Sequence, residues 1–77
     1  MLGLPTHSIY LVKEDGTREN VSMSDCSTKR EFRLEVKDLL EYYSKSQDVS
    51  VYKRAQYVGS GDNILYECSI EDCKKES

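Results

Sequence analysis

Hydrophobic and polar residues alternate in two segments near the start of the chain, and the residues between the segments favour a turn. Ser8–Lys13 is rich in β-branched and aromatic residues, which predicts a strand. The dipeptide Asp15-Gly16 follows and favours a type I′ hairpin turn. Arg18–Met23 is then predicted as a second strand that pairs with the first.

The turn leaves two registers open for this hairpin, and they place opposite faces of the first strand beside Val21. A two-residue loop sets Tyr10 against Val21, with Val12 on the same face. A bulge at Gly16 shifts the pairing by one residue and turns Ile9 and Leu11 towards Val21. In both registers one apolar pair of the first strand points away from the face that carries Val21.

A helix is predicted from Lys29 to about Ser46. Thr28 and Glu31 have the spacing of a capping box, in which the hydroxyl and the carboxylate accept from backbone N–H groups at the helix start. The apolar residues that follow recur at i, i+4, i+7 and i+8, which is typical of a helix with one buried side. These residues are Phe32, Val36, Leu39, Leu40 and Tyr43.

Alternation returns after the helix and predicts two further strands, Asp48–Val58 and Ile64–Ile70, joined by a loop at Gly59–Asp62. The register that matches apolar with apolar residues and opposite charges sets Ala55 opposite Tyr66, Tyr57 opposite Ile64 and Arg54 opposite Glu67. The remaining residues, Glu71–Ser77, are predicted to form a charged, frayed tail.

The predicted order of strand, strand, helix, strand, strand indicates an α+β fold with a single domain over residues 1–77. Residues 1–7 form an N-terminal arm and residues 71–77 the tail. A crossover through the helix would place the third strand parallel to the second, with the first strand between them. We therefore expect a four-stranded, mainly antiparallel sheet with one helix packed on one face and the other face open.

Composition excludes several classes of protein. The 77 residues carry 11 Lys and Arg against 14 Asp and Glu, a net charge of -3, which argues against a dedicated binder of duplex nucleic acid or anionic membrane. No apolar run approaches the roughly 20 residues that span a bilayer. The N-terminus lacks the features of a secretion signal, and an odd count of three cysteines suits a reducing compartment. We expect a cytoplasmic protein.

Catalytic, metal-binding and cofactor-binding arrangements are not indicated by the pattern of reactive residues. The single histidine, His7, lies in the arm, so a nucleophilic arrangement would have to be built on a mobile segment, and we expect His7 to be solvent-exposed without a partner. Cys26, Cys68 and Cys73 lack the close spacing of known zinc modules. A disulfide between Cys68 and Cys73 is conceivable, but the odd cysteine count argues against a structural role for it. We expect a protein that is not an enzyme and uses no cofactor or metal.

Two surfaces are candidates for binding a partner. On the helix, charges separate into a basic flank and an acidic flank, and a charged partner would recognise this arrangement by electrostatic complementarity. The open sheet face should carry Tyr52, Arg54, Gln56 and Leu65, with either Ile9 and Leu11 or Tyr10 and Val12, and the alternative is that the chain's own tail covers this face. The predicted partner-binding residues are Ile9, Leu11, Tyr52, Arg54 and Leu65 on the sheet and Arg30, Arg33 and Lys37 on the helix.

By its size, its acidity and its order of elements, the chain resembles the small inhibitor proteins that bacteriophages encode, such as anti-CRISPR proteins and toxin antagonists. That resemblance implies a non-enzymatic inhibitor or adaptor that occupies a surface of a larger protein. The alternative is a single-stranded nucleic-acid-binding protein that uses Tyr52 and Arg54 on the sheet face, although the acidic charge makes nucleic acid the weaker choice of partner. An exposed sheet face or edge could also be covered by a second copy in a homodimer.

Overall fold

The computed structural model describes residues 7–75, so the expectations for residues 1–6 and 76–77 lie outside the described residues. The chain forms one four-stranded sheet with the strand order β2-β1-β3-β4, and neighbouring strands are antiparallel. The predicted α+β fold with a central first strand is confirmed. The elements are β1 (Ser8–Lys13), β2 (Arg18–Met23), α1 (Lys29–Ser44), β3 (Tyr52–Val58), β4 (Ile64–Ser69) and α2 (Ile70–Lys75).

The first hairpin adopts the bulged register. Gly16 has a φ of 92°, in the left-handed region that favours glycine, whereas Asp15 has a negative φ, so the predicted type I′ turn is wrong. Leu11 therefore pairs with Glu19. Nearer the end of β2, Val21 is an extra residue, because Ile9 pairs with Ser22 and Tyr10 with Asn20. The pairing beyond Val21 is therefore shifted by one residue.

Ile9 and Leu11 point into the core and not towards a partner. The pairing of β1 with β3 sets Ile9 beside Tyr57 and Leu11 beside Ala55, on the face that α1 covers. Both side chains are fully buried. Their prediction as partner-binding residues is therefore wrong, because a side chain in the middle of the sheet under a helix cannot reach another protein.

Tyr52 also differs from its predicted place on the open face. Lys13 pairs with Tyr52 and Val12 with Arg54, so Lys53 is an extra residue that bulges out of β3. One extra residue in a strand moves the side chains that precede it to the opposite face of the sheet. Tyr52 consequently lies in the core and is 4% exposed. Its hydroxyl donates a hydrogen bond to the carboxylate of Glu19.

The hairpin of β3 and β4 is paired two residues away from the predicted register. Ala55 faces Cys68 and Tyr57 faces Tyr66, where the sequence predicts Ala55 against Tyr66. The loop is longer than expected, since the N–H of Gly59 donates to the carbonyl of Asn63 at 2.7 Å, and a bulge at Leu65 follows. A shift by an even number of residues preserves the faces, so Ala55, Tyr57 and Tyr66 still point to the core, whereas Ile64, which precedes the bulge, is 49% exposed.

The helix α1 begins at its predicted residue and ends two residues before the predicted one. The hydroxyl of Thr28 accepts from the N–H of Glu31 at 3.1 Å, and the Glu31 carboxylate accepts from the N–H of Ser27 at 2.7 Å. The cap therefore forms with Ser27 in place of the Thr28 amide. The predicted apolar side packs on the sheet, with Phe32, Val36 and Leu40 buried and Leu39 partly buried.

The segment that was expected to be a frayed tail contains a helix. Ile70–Lys75 forms α2, which packs against α1 and β3 and buries Ile70 and Cys73. These two residues are three positions apart, so they share one side of the helix. Two apolar residues are too short a pattern to predict a helix from the sequence. In the structure, Ile70 and Cys73 anchor the charged segment to the core.

On the face opposite α1, a polar side chain of the neighbouring strand covers Tyr10, one of the remaining apolar pair. The guanidinium of Arg18 lies 4.4 Å from the centre of the Tyr10 ring and contacts the Asp62 carboxylate at 3.1 Å. Val12, on the same face, is 1% exposed. Arg18 of β2, held by Asp62 of the β3–β4 loop, therefore covers the Tyr10 ring on this face.

The contact between Glu19 and Tyr52 predicts a pH dependence of stability. The hydrogen bond from Tyr52, with the Lys13 ammonium at 3.1 Å, holds the pKa of Glu19 below its ordinary value of 4.5. A carboxyl whose pKa is lower in the folded than in the unfolded chain contributes stability above pH 4.5, and this is lost as the pH falls through the lower, folded-state pKa.

We expect Glu19→Gln to flatten the dependence of the free energy of unfolding on pH below 4.5, as measured by urea unfolding at a series of pH values. Asp15 and Asp48 titrate with the same sign, because hydrogen bonds from Thr17 and Ser50 lower the pKa of each. The contribution of Glu19 is therefore the difference between wild type and the variant in how the free energy of unfolding changes with pH. An identical slope in both proteins would contradict the role assigned to Glu19.

Candidate functional site

Three aromatic rings form a stack at one end of the sheet. The Tyr57 ring lies between His7, whose ring centre is 5.2 Å away, and Tyr66, at 5.5 Å, and both neighbours are within about 13° of parallel to it. Phe32 of α1 packs against both tyrosines from the core side. Stacked aromatic pairs of this kind contribute about 0.5–1.5 kcal/mol each beyond area burial, so the stack stabilises this end of the sheet.

The hydroxyl of Tyr57 fixes the loop that follows β2 over this end of the sheet. It accepts from the N–H of Cys26 at 2.7 Å and donates to the carbonyl of Ser24 at 3.0 Å. Burial raises the pKa of Tyr57, although the bond from Cys26 opposes this, so the phenol keeps its proton and can donate at neutral pH. His7 is held to the same loop, since its carbonyl accepts from the N–H of Ser24 at 3.0 Å.

The stack and this loop line a pocket of about 420 Å³ that is open to solvent, which we call the aromatic pocket. Its volume falls in the range of about 300–1,000 Å³ that is common for ligand pockets. Leu65 forms one wall and is 49% exposed, and its neighbour Ile64 is equally exposed. The lining residues are His7, Asp25, Cys26, Ser27, Tyr57, Leu65 and Tyr66.

The charge around the aromatic pocket is acidic. Burial raises the pKa of the Cys26 thiol, and the carboxylates of Glu35, Glu31 and Asp25 raise it further, in order of decreasing effect. The contact with Ser24 opposes this shift. The Cys26 thiol is consequently protonated at neutral pH and is a poor nucleophile. The same carboxylates would attract a positively charged group at the pocket mouth.

The pocket lies beside an edge of the sheet. Within residues 7–75, β4 pairs with β3 on one side and with no strand on the other. Such an edge offers backbone N–H and C=O groups to an incoming strand. Both edge strands carry an irregularity, β4 at Leu65 and β2 at Val21. The β2 edge differs in its side chains, because it presents the polar Arg18 and Asn20 with Met23.

The structure separates the sequence-predicted binding residues. Leu65 lies at the aromatic pocket because the β4 bulge turns it towards His7 and Gly59, and not onto the open face. Arg54 remains on the open face, where it contacts Glu67 at 3.2 Å.

The predicted binding residues of α1 differ in exposure. Arg30 is exposed, whereas Arg33 and Lys37 are half-buried. Lys37 lines a groove together with Leu40 and Lys74. The remaining three, Ile9, Leu11 and Tyr52, lie in the core.

Most of the aromatic pocket differs from what the sequence predicts. His7 was expected to be solvent-exposed without a partner, yet it stacks on Tyr57 and lies 3.5 Å from the Asp25 carboxylate. One signal was available, because the successive apolar residues Ile64 and Leu65 interrupt the alternation of a strand. Two adjacent apolar residues point to opposite faces unless a bulge intervenes.

No three His, Cys, Asp or Glu side chains are grouped as metal ligands in the described part of the chain. Over the same residues, no helix is long and apolar enough to cross a membrane.

Comparison with known proteins adds no assignment: no family model matches the sequence, and no match is found among curated proteins or solved structures. The site is therefore interpreted from its own chemistry.

Proposed function

We propose that this protein is a small protein-binding domain that engages an extended segment of a larger protein at the β4 edge, with a partner side chain in the aromatic pocket. One observation carries the proposal: half-exposed Ile64 and Leu65 form an apolar surface on a strand edge that no strand within residues 7–75 pairs, directly beside a concave aromatic pocket. Strand addition at such an edge supplies backbone hydrogen bonds, and the pocket supplies specificity.

The charge of the site favours a basic partner segment. Asp25, Glu31 and Glu35 lie close enough to Cys26 to raise its pKa, so the pocket mouth carries a negative field. A segment with one large apolar residue flanked by Lys or Arg would satisfy both the pocket and this field. An inhibitor or adaptor of the kind predicted from the sequence would act in this way, by covering a surface of its partner without turnover.

Two other occupants fit the site less well. A second copy of the chain would add its own acidic residues to the same region, which like-charge repulsion disfavours. Single-stranded nucleic acid would need exposed aromatic and basic groups on the sheet. Tyr52 is instead buried, and the guanidinium of Arg54 is bound by Glu67.

A selection from random 12-residue displayed peptides, with the purified domain as bait, tests the proposal. We expect enrichment of peptides with an apolar residue flanked by Lys or Arg. A synthetic peptide of the selected sequence should bind with a dissociation constant that rises at least tenfold for Leu65→Glu, since a carboxylate would replace the apolar wall. Its binding should shift the amide NMR signals of β4.

Met23→Glu is the matched control, because Met23 is a similarly exposed apolar residue on the other edge strand. Its affinity for the selected peptide should stay within about twofold of wild type. Enrichment of acidic peptides, or equal weakening by both variants, would contradict the proposed site. A sedimentation mass of two chains that falls to one on Leu65→Glu would assign the edge to self-association instead.

A further inference from the structure

Two thiols face each other between β4 and α2. Cys68 lies near the end of β4 and Cys73 on the buried side of α2, and their sulfur atoms are 2.7 Å apart. A disulfide has a bond length of about 2.05 Å, so the sulfurs need to move by less than 1 Å to form one. Cys26, the third cysteine, instead contacts Ser24 in the loop after β2.

The surroundings give the two thiols different roles. The contact between the two sulfur atoms lowers the pKa of Cys68 and raises that of Cys73. The positive charges of Arg33 and Lys29 lower the pKa of Cys68 further, against the effect of its burial. Cys68 also retains a small exposed fraction, whereas Cys73 has none. Cys68 is thus the first nucleophile and Cys73 the resolving thiol.

We propose that Cys68 and Cys73 form a reversible thiol–disulfide site that reacts with low-molecular-weight disulfides and, when oxidised, locks α2 to β4. This inference is independent of the proposed binding function. It applies to a helix of six residues, which needs tertiary contacts to persist because isolated helices of this length are unstable in water. A covalent bond to the adjacent strand would restrict its opening.

The reaction proceeds by two exchanges. The Cys68 thiolate attacks one sulfur of the small disulfide, whose S–S bond breaks and releases one thiolate, leaving a mixed disulfide on Cys68. Cys73 then loses its proton, and its sulfur attacks the Cys68 sulfur and displaces the second small thiolate. The two protein thiols are oxidised to one disulfide, and the small disulfide is reduced to two thiols.

Equilibration of the reduced protein with mixtures of reduced and oxidised glutathione tests this site. Intact-mass measurement after alkylation should show a species that has lost two hydrogens and carries one alkyl group. Peptide mapping should place the bond between Cys68 and Cys73 and the alkyl group on Cys26. Amide hydrogen exchange in α2 should slow by on the order of tenfold in this species, because the bond restricts opening.

Cys26→Ser is the matched control and should form the same bond, whereas Cys73→Ala should yield only a glutathione adduct or no product. The wild-type result decides the question even if the Cys73 variant fails to fold. Absence of an internal bond at every glutathione ratio, or a bond that includes Cys26, would overturn the proposal.

Discussion

Replacing Leu11 by glutamate is expected to unfold the protein. Leu11 is fully buried in the central strand, between the sheet and α1. Loss of a buried leucine costs about 2–5 kcal/mol, and a carboxyl group without a partner in the core adds further destabilisation. A domain of 77 residues has a stability of only about 4–12 kcal/mol. Far-UV circular dichroism and the dispersion of amide NMR signals should both show the loss of the fold.

Leu65→Glu is the matched control for this prediction, because it makes the same substitution at a half-exposed leucine of β4. It should keep native spectra, with a free energy of unfolding within about 1 kcal/mol of wild type. A folded Leu11→Glu protein would contradict the assignment of Leu11 to the core. It would also reopen the first strand as a binding surface, as predicted from the sequence alone.

Replacing Tyr57 by phenylalanine is expected to lower the free energy of unfolding by about 1–3 kcal/mol. The substitution keeps the ring stack but removes the hydroxyl that bonds Cys26 and Ser24, which leaves a partly buried N–H without its acceptor. For a domain of this size each 1 kcal/mol corresponds to roughly 4–8 °C in Tm. Calorimetry or urea unfolding measures the change.

Tyr42→Phe serves as the control for the loss of a tyrosine hydroxyl, because Tyr42 is 69% exposed on α1. Its effect should stay within about 0.5 kcal/mol. Equal stabilities for the two variants would show that the Tyr57 hydroxyl does not hold the loop. If the loop is held as described, Tyr57→Phe should also weaken binding of the selected peptide, since the loop forms part of the aromatic pocket.

The elements that could be predicted from the sequence are those that depend on neighbours in the chain. Thr28 and Glu31 marked the start of α1, and the apolar spacing from Phe32 to Tyr43 marked its buried side, because caps and helical periodicity are local properties. The central position of β1 also followed, since connection rules restrict the order of strands and β1 is apolar on both faces.

Which side chains are available to a partner could not be predicted, because that depends on single extra residues in the strands. The bulge at Lys53 moved Tyr52 into the core, and the bulge at Leu65 moved that side chain from the open face to the aromatic pocket. The bulge at Lys53 arises in the pairing of β3 with the distant β1 and leaves no local pattern, whereas the bulge at Leu65 is marked only by the two successive apolar residues Ile64 and Leu65. Because side chains alternate with a period of two, one extra residue reverses every prediction made for a face.

By itself, the sequence determined the α+β class, the helix with its cap, the four strands and their order, because alternation, helical periodicity and turn residues act over a few positions. Only the tertiary structure decided the registers, the stack of His7 on Tyr57 and the contact between Cys68 and Cys73. These features join residues far apart in the chain or depend on where α2 packs. Their positions are set by close packing of the whole core, which no local pattern encodes.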